Sequence, residues 1–121
     1  MNFFTVTVRE DTLVNDALQV PLSEAERGML KPYAGKEIVL GVRPEDIVAG
    51  GEIQVKVFSN ENLGMNTLVH GHLLSDGKAG DRITCKLKGW CDYRADDTVP
   101  VTFVRKHFFD KETTDAIRGE A

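Results

Sequence analysis

The strongest constraint on this chain is a run of short segments in which apolar residues recur at every second position. In Glu52 to Phe58, Ile53, Val55 and Val57 face one way, and Gln54, Lys56 and Phe58 the other. Arg82 to Leu87 repeats the pattern with Ile83, Cys85 and Leu87, and Asn2 to Val8 does so with Phe4, Val6 and Val8 against Phe3, Thr5 and Thr7. A period of two places alternate side chains on opposite faces of an extended strand. One face of each segment must then be buried against another layer. Chains built from such units, spaced closely and joined by turns, close into small barrels or sandwiches.

Other segments extend the series. Glu37 to Val42, Asn66 to Leu74 and Thr98 to Val104 read as strands, and Ala17 to Val20 as a short one before Pro21 breaks the pattern. Asp11 to Asp16 is polar and reads as a loop, and Ser59 to Gly64 as an interruption. Turn chemistry stands at Ala34-Gly35-Lys36, Gly50-Gly51, Asp76-Gly77, Ala79-Gly80-Asp81 and Ala95-Asp96-Asp97. Ser23 with Glu26 matches a capping box. The helix it opens has Leu22, Ala25, Met29 and Leu30 near one face and Pro32 as its stop. Pro44-Glu45-Asp46-Ile47 has the proline and acids that suit the start of a short helical turn. Phe108-Phe109 falls in a tail that ends in a polar segment, Lys111 to Ala121. The fold expected is mainly β: an OB-fold-like small barrel with additional strands and one or two short helices. The 121 residues suit a single domain, 1–121, with no internal repeat, long linker or low-complexity stretch.

The charge narrows the partners. A net charge of −4 favours little contact with phosphate backbones, whose affinity comes from Lys and Arg. The one basic cluster, Arg82, Lys86, Lys88 and Arg94, has acidic neighbours and reads as a solvated strand face. No apolar run approaches the roughly 18 residues that a membrane span needs. Met1-Asn2-Phe3-Phe4 has neither a basic region nor a signal-like apolar stretch, so nothing sends the domain across a membrane, and Cys85 and Cys91 are expected as reduced thiols.

Catalytic patterns are missing from the sequence. There is no G-x-x-x-x-G-K-[ST] phosphate loop, no G-x-G-x-x-G, no G-x-S-x-G elbow, no C-x-x-C and no H-E-x-x-H. His70 and His72 share one face of a strand and, with His107 or a cysteine, could begin a metal site. Without further ligands at a recognisable spacing they read as a polar strand face. Cys85 sits on the apolar face, opposite Lys86 and Lys88, as a packed thiol does. Trp90, Tyr93 and Phe58 could stack on bases, but the aromatics are few and the balance acidic. The acid pairs Glu45/Asp46 and Asp96/Asp97 lie at turns, where carboxylates are solvated. No catalytic, cofactor-binding or metal-ligating residue is expected.

Gly41-Val42-Arg43-Pro44-Glu45-Asp46-Ile47 resembles the G-[IV]-R-P-E-[HD]-[IL] signature in the C-terminal region of carbohydrate ABC-importer ATP-binding subunits, the maltose, glycerol-phosphate and multiple-sugar family. Met1-Asn2-Phe3, Tyr33-Ala34-Gly35-Lys36, Glu61-Asn62-Leu63-Gly64, Thr67-Leu68-Val69-His70-Gly71, Gly80-Asp81-Arg82-Ile83-Thr84, Asp97-Thr98-Val99-Pro100-Val101 and Phe109-Asp110 with Glu112-Thr113 follow the family in order. Met65-Asn66 and Thr114 depart from it. The resemblance implies an OB-fold accessory domain, often called TOBE, that helps two ATPase subunits dimerise and in some members docks a cytoplasmic regulator. It implies that ATP and magnesium belong to an N-terminal nucleotide-binding domain absent from this chain, and that the membrane subunits are reached through that domain. It implies a cytoplasmic location, peripheral at the inner face of the membrane. Gly41, Arg43, Pro44, Glu45, Leu63 and Gly64 carry over as family motif, for structure or for partner contact. A module binding an oxyanion or sugar phosphate, through amides or cations converging on one cleft, is the alternative. A nucleic-acid-binding barrel comes after it. The transported substrate is not written in these residues.

Overall fold

Alternation becomes two sheets. The computed structural model describes residues 1–75 and 78–117. Strand β1 (Asn2–Val8) is followed by β2 (Thr12–Val14), β3 (Gln19–Pro21), helix α1 (Glu24–Leu30), β4 (Glu37–Val42), β5 (Ile47–Asn62), β6 (Asn66–Ser75), β7 (Lys78–Lys88), β8 (Thr98–Phe103) and β9 (His107–Asp110). Short 3-10 turns occupy Lys31–Tyr33 and Pro44–Asp46. One sheet runs β3-β2-β1-β4-β9 and the other β7-β6-β5-β8. Every pairing is antiparallel. This is the mainly β architecture expected.

The core lies between the sheets and uses the residues that the period of two selects. Phe4, Val6 and Val8 of β1 and Ile38, Leu40 and Val42 of β4 are buried against Val55 and Val57 of β5 and Ile83, Cys85 and Leu87 of β7. Phe4 and Phe103 stack with ring centroids 6.0 Å apart, tying β1 to β8 across the interior. Burying each such side chain contributes roughly 1.5–3 kcal/mol.

Asn2, at the start of the central strand β1, joins its sheet to the edge strand β7 of the other. Its Nδ2 donates to the carbonyls of Thr84 (2.8 Å) and Val42 (3.2 Å), and the Thr84 amide donates to its Oδ1 at 2.9 Å. The carboxamide thus imitates a peptide group and pairs with edge strand β7 where β1 itself does not. An edge strand otherwise presents unpaired donors and acceptors.

Several expected turns are strand. Asp11 to Asp16, read as a loop, contains β2, because Leu13 is wholly buried and pairs with Val8 and Val20. Pro21 ends β3 rather than lying beyond it, which an edge strand permits. Gly50-Gly51 is not a hairpin turn but a bulge inside β5, where the register with β8 slips between Ala49 and Ile53. Ser59 to Asn62 continues β5 after a second bulge, between Val57 and Ser59. Ala79-Gly80-Asp81 lies within β7, while the Asp76-Gly77 turn lies outside the described residues. Phe108-Phe109 belongs to β9, which pairs with β4.

The capping box at Ser23 and Glu26 is present, with both reciprocal hydrogen bonds. The apolar face of α1 is narrower than expected. Leu30 is buried and Met29 half-buried, but Ala25 is exposed, and Leu22 precedes the helix. Pro32 does not halt the chain's helical path: it starts the 3-10 turn, where a missing N–H costs nothing.

Candidate interaction surfaces

The segment Gly41 to Ile47 is the corner at which the chain leaves one sheet and enters the other. Gly41 stands on the outer face of β4 opposite Phe3 and His107. A Cβ there would lie 2.7 Å from Met1 Sδ and 2.8 Å from Phe109 Cε2, so glycine is what lets these side chains cover the strand. Phe3 and Phe109 meet edge to face over it at 6.0 Å. Pro44 opens the 3-10 turn, whose close is the Asp46 amide donating to the Arg43 carbonyl at 2.9 Å. The Val104 amide then donates to the Asp46 carbonyl at 2.8 Å, and Ile47 is buried as β5 begins. The Arg43 and Glu45 side chains are exposed, and among the described residues neither forms an ion pair.

Leu63 and Gly64 form the tip of the β5–β6 hairpin. Gly64 has φ +91°, and its amide donates to Asn62 Oδ1 at 2.8 Å, a short Asx turn. Beside it lies the loop after β7, fixed by Thr67. That residue is fully buried, donates to the Gly89 carbonyl at 2.9 Å and accepts from the Cys91 amide at 3.0 Å. The Gly89 amide donates in turn to the Met65 carbonyl at 2.7 Å. The result holds Leu63 (51 % exposed), Met65 (86 %) and Trp90 (68 %) in solvent at one end of the sheet. Clustered exposed apolar side chains of this kind mark contact surfaces. Leu63 and Gly64 belong to the motif singled out in the sequence, whereas Met65 and Trp90 become their neighbours only in the folded chain. Replacing Thr67 by valine keeps the shape and removes both hydrogen bonds. It is expected to destabilise the fold by about 1.5 kcal/mol and to lower the fluorescence anisotropy of Trp90, the single tryptophan, measured by thermal denaturation and emission.

His70 and His72 share the outer face of β6, as their spacing predicts. Phe58 of β5 packs beside them, with ring centroids 6.1 Å from His70 and 5.3 Å from His72, and the Arg82 guanidinium lies 5.1 Å over the same ring. His70 Nε2 stands 3.5 Å from Glu61 Oε1, a distance suited to an ion pair, although the nitrogen is buried and makes no hydrogen bond. His107 lies away from this group, on β9. Among the described residues no three of His, Cys, Asp and Glu gather as metal ligands would. Cys85 is buried and its thiol is pushed up to about 12 by desolvation, which leaves it an inert core residue. Tyr93 packs partly against the core, so Trp90, Tyr93 and Phe58 are not three equivalent exposed rings.

The cavity of about 610 Å³ beside the 3-10 turn at Tyr33 does not concentrate positive charge. Lys36 and Lys111 face Glu37, Asp110 and Glu112, and Lys111 is already paired with Glu37 at 2.8 Å. The Asp110 carboxyl is held below its ordinary range by the Thr113 and Glu112 amides, and it accepts from Tyr33, whose hydroxyl is raised by that bond. These are the contacts of a closed turn.

Residues 1–47, which include β1 to β4 and end at the corner between the sheets, match the family model of the MalK OB fold domain. The chain is 32 % identical over 127 residues to a xylose/arabinose import ATP-binding protein of Haloferax volcanii, covering 98 % of this chain and 32 % of that protein. It is 30 % identical over 132 residues to a multiple sugar-binding transport ATP-binding protein of Streptococcus mutans, covering 98 % and 34 %. This chain is homologous to the OB-fold domain of sugar ABC-transporter ATP-binding subunits. An uncharacterized ABC transporter ATP-binding protein of Bacillus subtilis is 35 % identical over 111 residues, covering 83 % of the chain and 29 % of the protein. The chain therefore spans about a third of the length of these relatives. Within this OB-fold domain, Gly41, Arg43, Pro44 and Glu45 fall inside the family match, and Leu63 and Gly64 lie beyond it. No helix among its described residues is long and apolar enough to cross a membrane.

Proposed function

We propose that the chain is the interaction domain of the ATP-binding subunit of an ABC sugar importer, without catalysis of its own, and that copies of it associate through the hairpin tip. In this reading ATP and magnesium are bound by a nucleotide-binding domain outside these 121 residues, through which the membrane subunits are also reached. Residues 1–121 act as one domain, and a regulatory protein is its second class of partner. The motif Gly41, Arg43, Pro44 and Glu45 serves as the corner of the fold, while Leu63 and Gly64 shape the contact.

The observation that carries the reading is the exposed trio Leu63, Met65 and Trp90, held outward by hydrogen bonds at a site that the core does not need. Burial of such side chains between copies gains roughly 25 cal/mol per Å² before the costs of association. Trp90 reports on it directly. Its emission is expected to shift to shorter wavelength as protein concentration rises, and not to shift in Met65→Ser. Emission independent of concentration from micromolar to millimolar would count against self-association through this tip.

A further inference from the structure

The outer face of β5, β6 and β7 carries a charge opposite to that of the chain. The net charge is −4. Yet Lys56, His72 and Arg82 stand side by side across three strands, since Lys56 pairs with His72 and His72 with Arg82. Lys86 and Lys88 continue the basic edge along β7, because Ile83, Cys85 and Leu87 take the buried positions. Two carboxylates adjoin this face: Glu61 stands beside His70, and Asp96 borders it at Lys56. Among the described residues Arg82, Lys86 and Lys88 form no ion pair, and Lys56 has only an exposed contact to Asp96 at 3.4 Å. An exposed pair of that kind is worth little and exchanges readily.

We infer that this face docks an acidic segment of a partner protein. The inference deepens the proposed function by naming the chemistry of a second partner, and it rests on the chain being an interaction domain, not on its self-association. Three features select the occupant. Arg82 and Lys88 stand exposed on the strand surface, whereas small anions need a concave site. Phe58 is its exposed aromatic ring, but Arg82 covers it and His72 and His70 flank it, so no free platform remains for a nucleic-acid base. The apolar side chains of the face are the covered Phe58 ring and Leu68, half-buried between Glu61 and Lys86, and neither forms the broad apolar surface that insertion into lipid needs. What is left is a row of cations, one of them held in place by its contact with the Phe58 ring, which lowers the ordering cost of meeting a carboxylate. Complementary charge of this kind sets orientation and on-rate.

The test is a titration of the isotope-labelled chain with poly-L-glutamate at low salt, followed by amide chemical shifts. Shifts are expected on β5, β6 and β7. The double variant Lys86→Glu/Lys88→Glu is expected to bind about tenfold more weakly, and Lys31→Glu/Lys36→Glu, reversing charges elsewhere, to change affinity by less than about twofold. Melting curves establish that each variant is folded, and Lys86→Gln/Lys88→Gln gives the same direction if charge reversal disturbs the fold. Shifts scattered over all lysines, or no effect of the double variant, would overturn the inference. So would tighter binding of this face to an oligothymidylate of equal charge or to phosphatidylglycerol vesicles. Repeating the titration in Trp90→Ser separates the two claims: binding that persists there while the wild type shows no association removes the self-association reading and keeps the docking face.

Discussion

Gly51→Ala is expected to destabilise the fold by about 3 kcal/mol, a fall in melting temperature of roughly 10 °C for a domain of this size. Gly51 has φ +128°, a region that alanine adopts only under strain, and a Cβ would lie 2.7 Å from the Val101 carbonyl oxygen and against Thr102 Oγ1. The hydroxyl could rotate away, but it donates to the Gly50 carbonyl at 2.6 Å and holds the bulge. The carbonyl belongs to β8 and cannot move without breaking the pairing there. Gly50→Ala is the control. Its φ is also positive, at +96°, but nothing lies within 4 Å of the added atom, so the cost should be the backbone strain alone, about 1 kcal/mol. Equal effects of the two substitutions in thermal denaturation would contradict the bulge as the cause.

Asn2→Ala should cost about 2–3 kcal/mol, although the residue is next to the chain's first. The loss is not packing. Both backbone polar groups of Thr84 and the carbonyl of Val42 lose a partner at once, at the point where the two sheets meet. Asn2→Asp separates hydrogen bonding from shape. The carboxylate can still accept from the Thr84 amide, but it places a second acceptor against the Thr84 carbonyl. It should therefore be no better than alanine in chemical denaturation. An aspartate variant as stable as the wild type would show that the side chain does not bridge the sheets.

Much of the architecture was legible because burial on one face writes a period of two into the sequence. Ile53, Val55 and Val57, and Ile83, Cys85 and Leu87, are buried as their spacing requires. The bulges were not legible, since Gly50-Gly51 has the same composition whether the chain reverses or only shifts register. Strand β2 was hidden because a three-residue strand needs only one fully buried side chain, Leu13, too short a run for a period of two to show. Strand β9 was hidden because His107–Asp110 is short and its partner β4 is distant in sequence.

The surfaces divide in the same way. His70 and His72 on one face followed from strand geometry, and the Leu63-Gly64 turn from the family motif. The nearness of Trp90 to Met65 depends on the hydrogen bond from Gly89 to Met65, a contact between loops that periodicity does not encode. The approach of Phe58 to Arg82 spans β5 to β7 across β6 and so depends on strand pairing that periodicity does not encode. Of the basic cluster Arg82, Lys86, Lys88 and Arg94, the first three share one face of β7, whereas Arg94 lies in the loop after it, and Lys56 and His72 join the face only through pairing across strands.

The central claim, that copies of this domain meet through the tip formed by Leu63, Met65 and Trp90, is tested most directly by sedimentation velocity over a wide concentration range, comparing the wild type with Met65→Ser/Trp90→Ser. A concentration-dependent dimer is expected for the wild type and a monomer for the variant, with unchanged melting temperature, because both side chains lie outside the core. A wild type that remains monomeric at the highest concentration, or a variant that dimerises equally well, would contradict it.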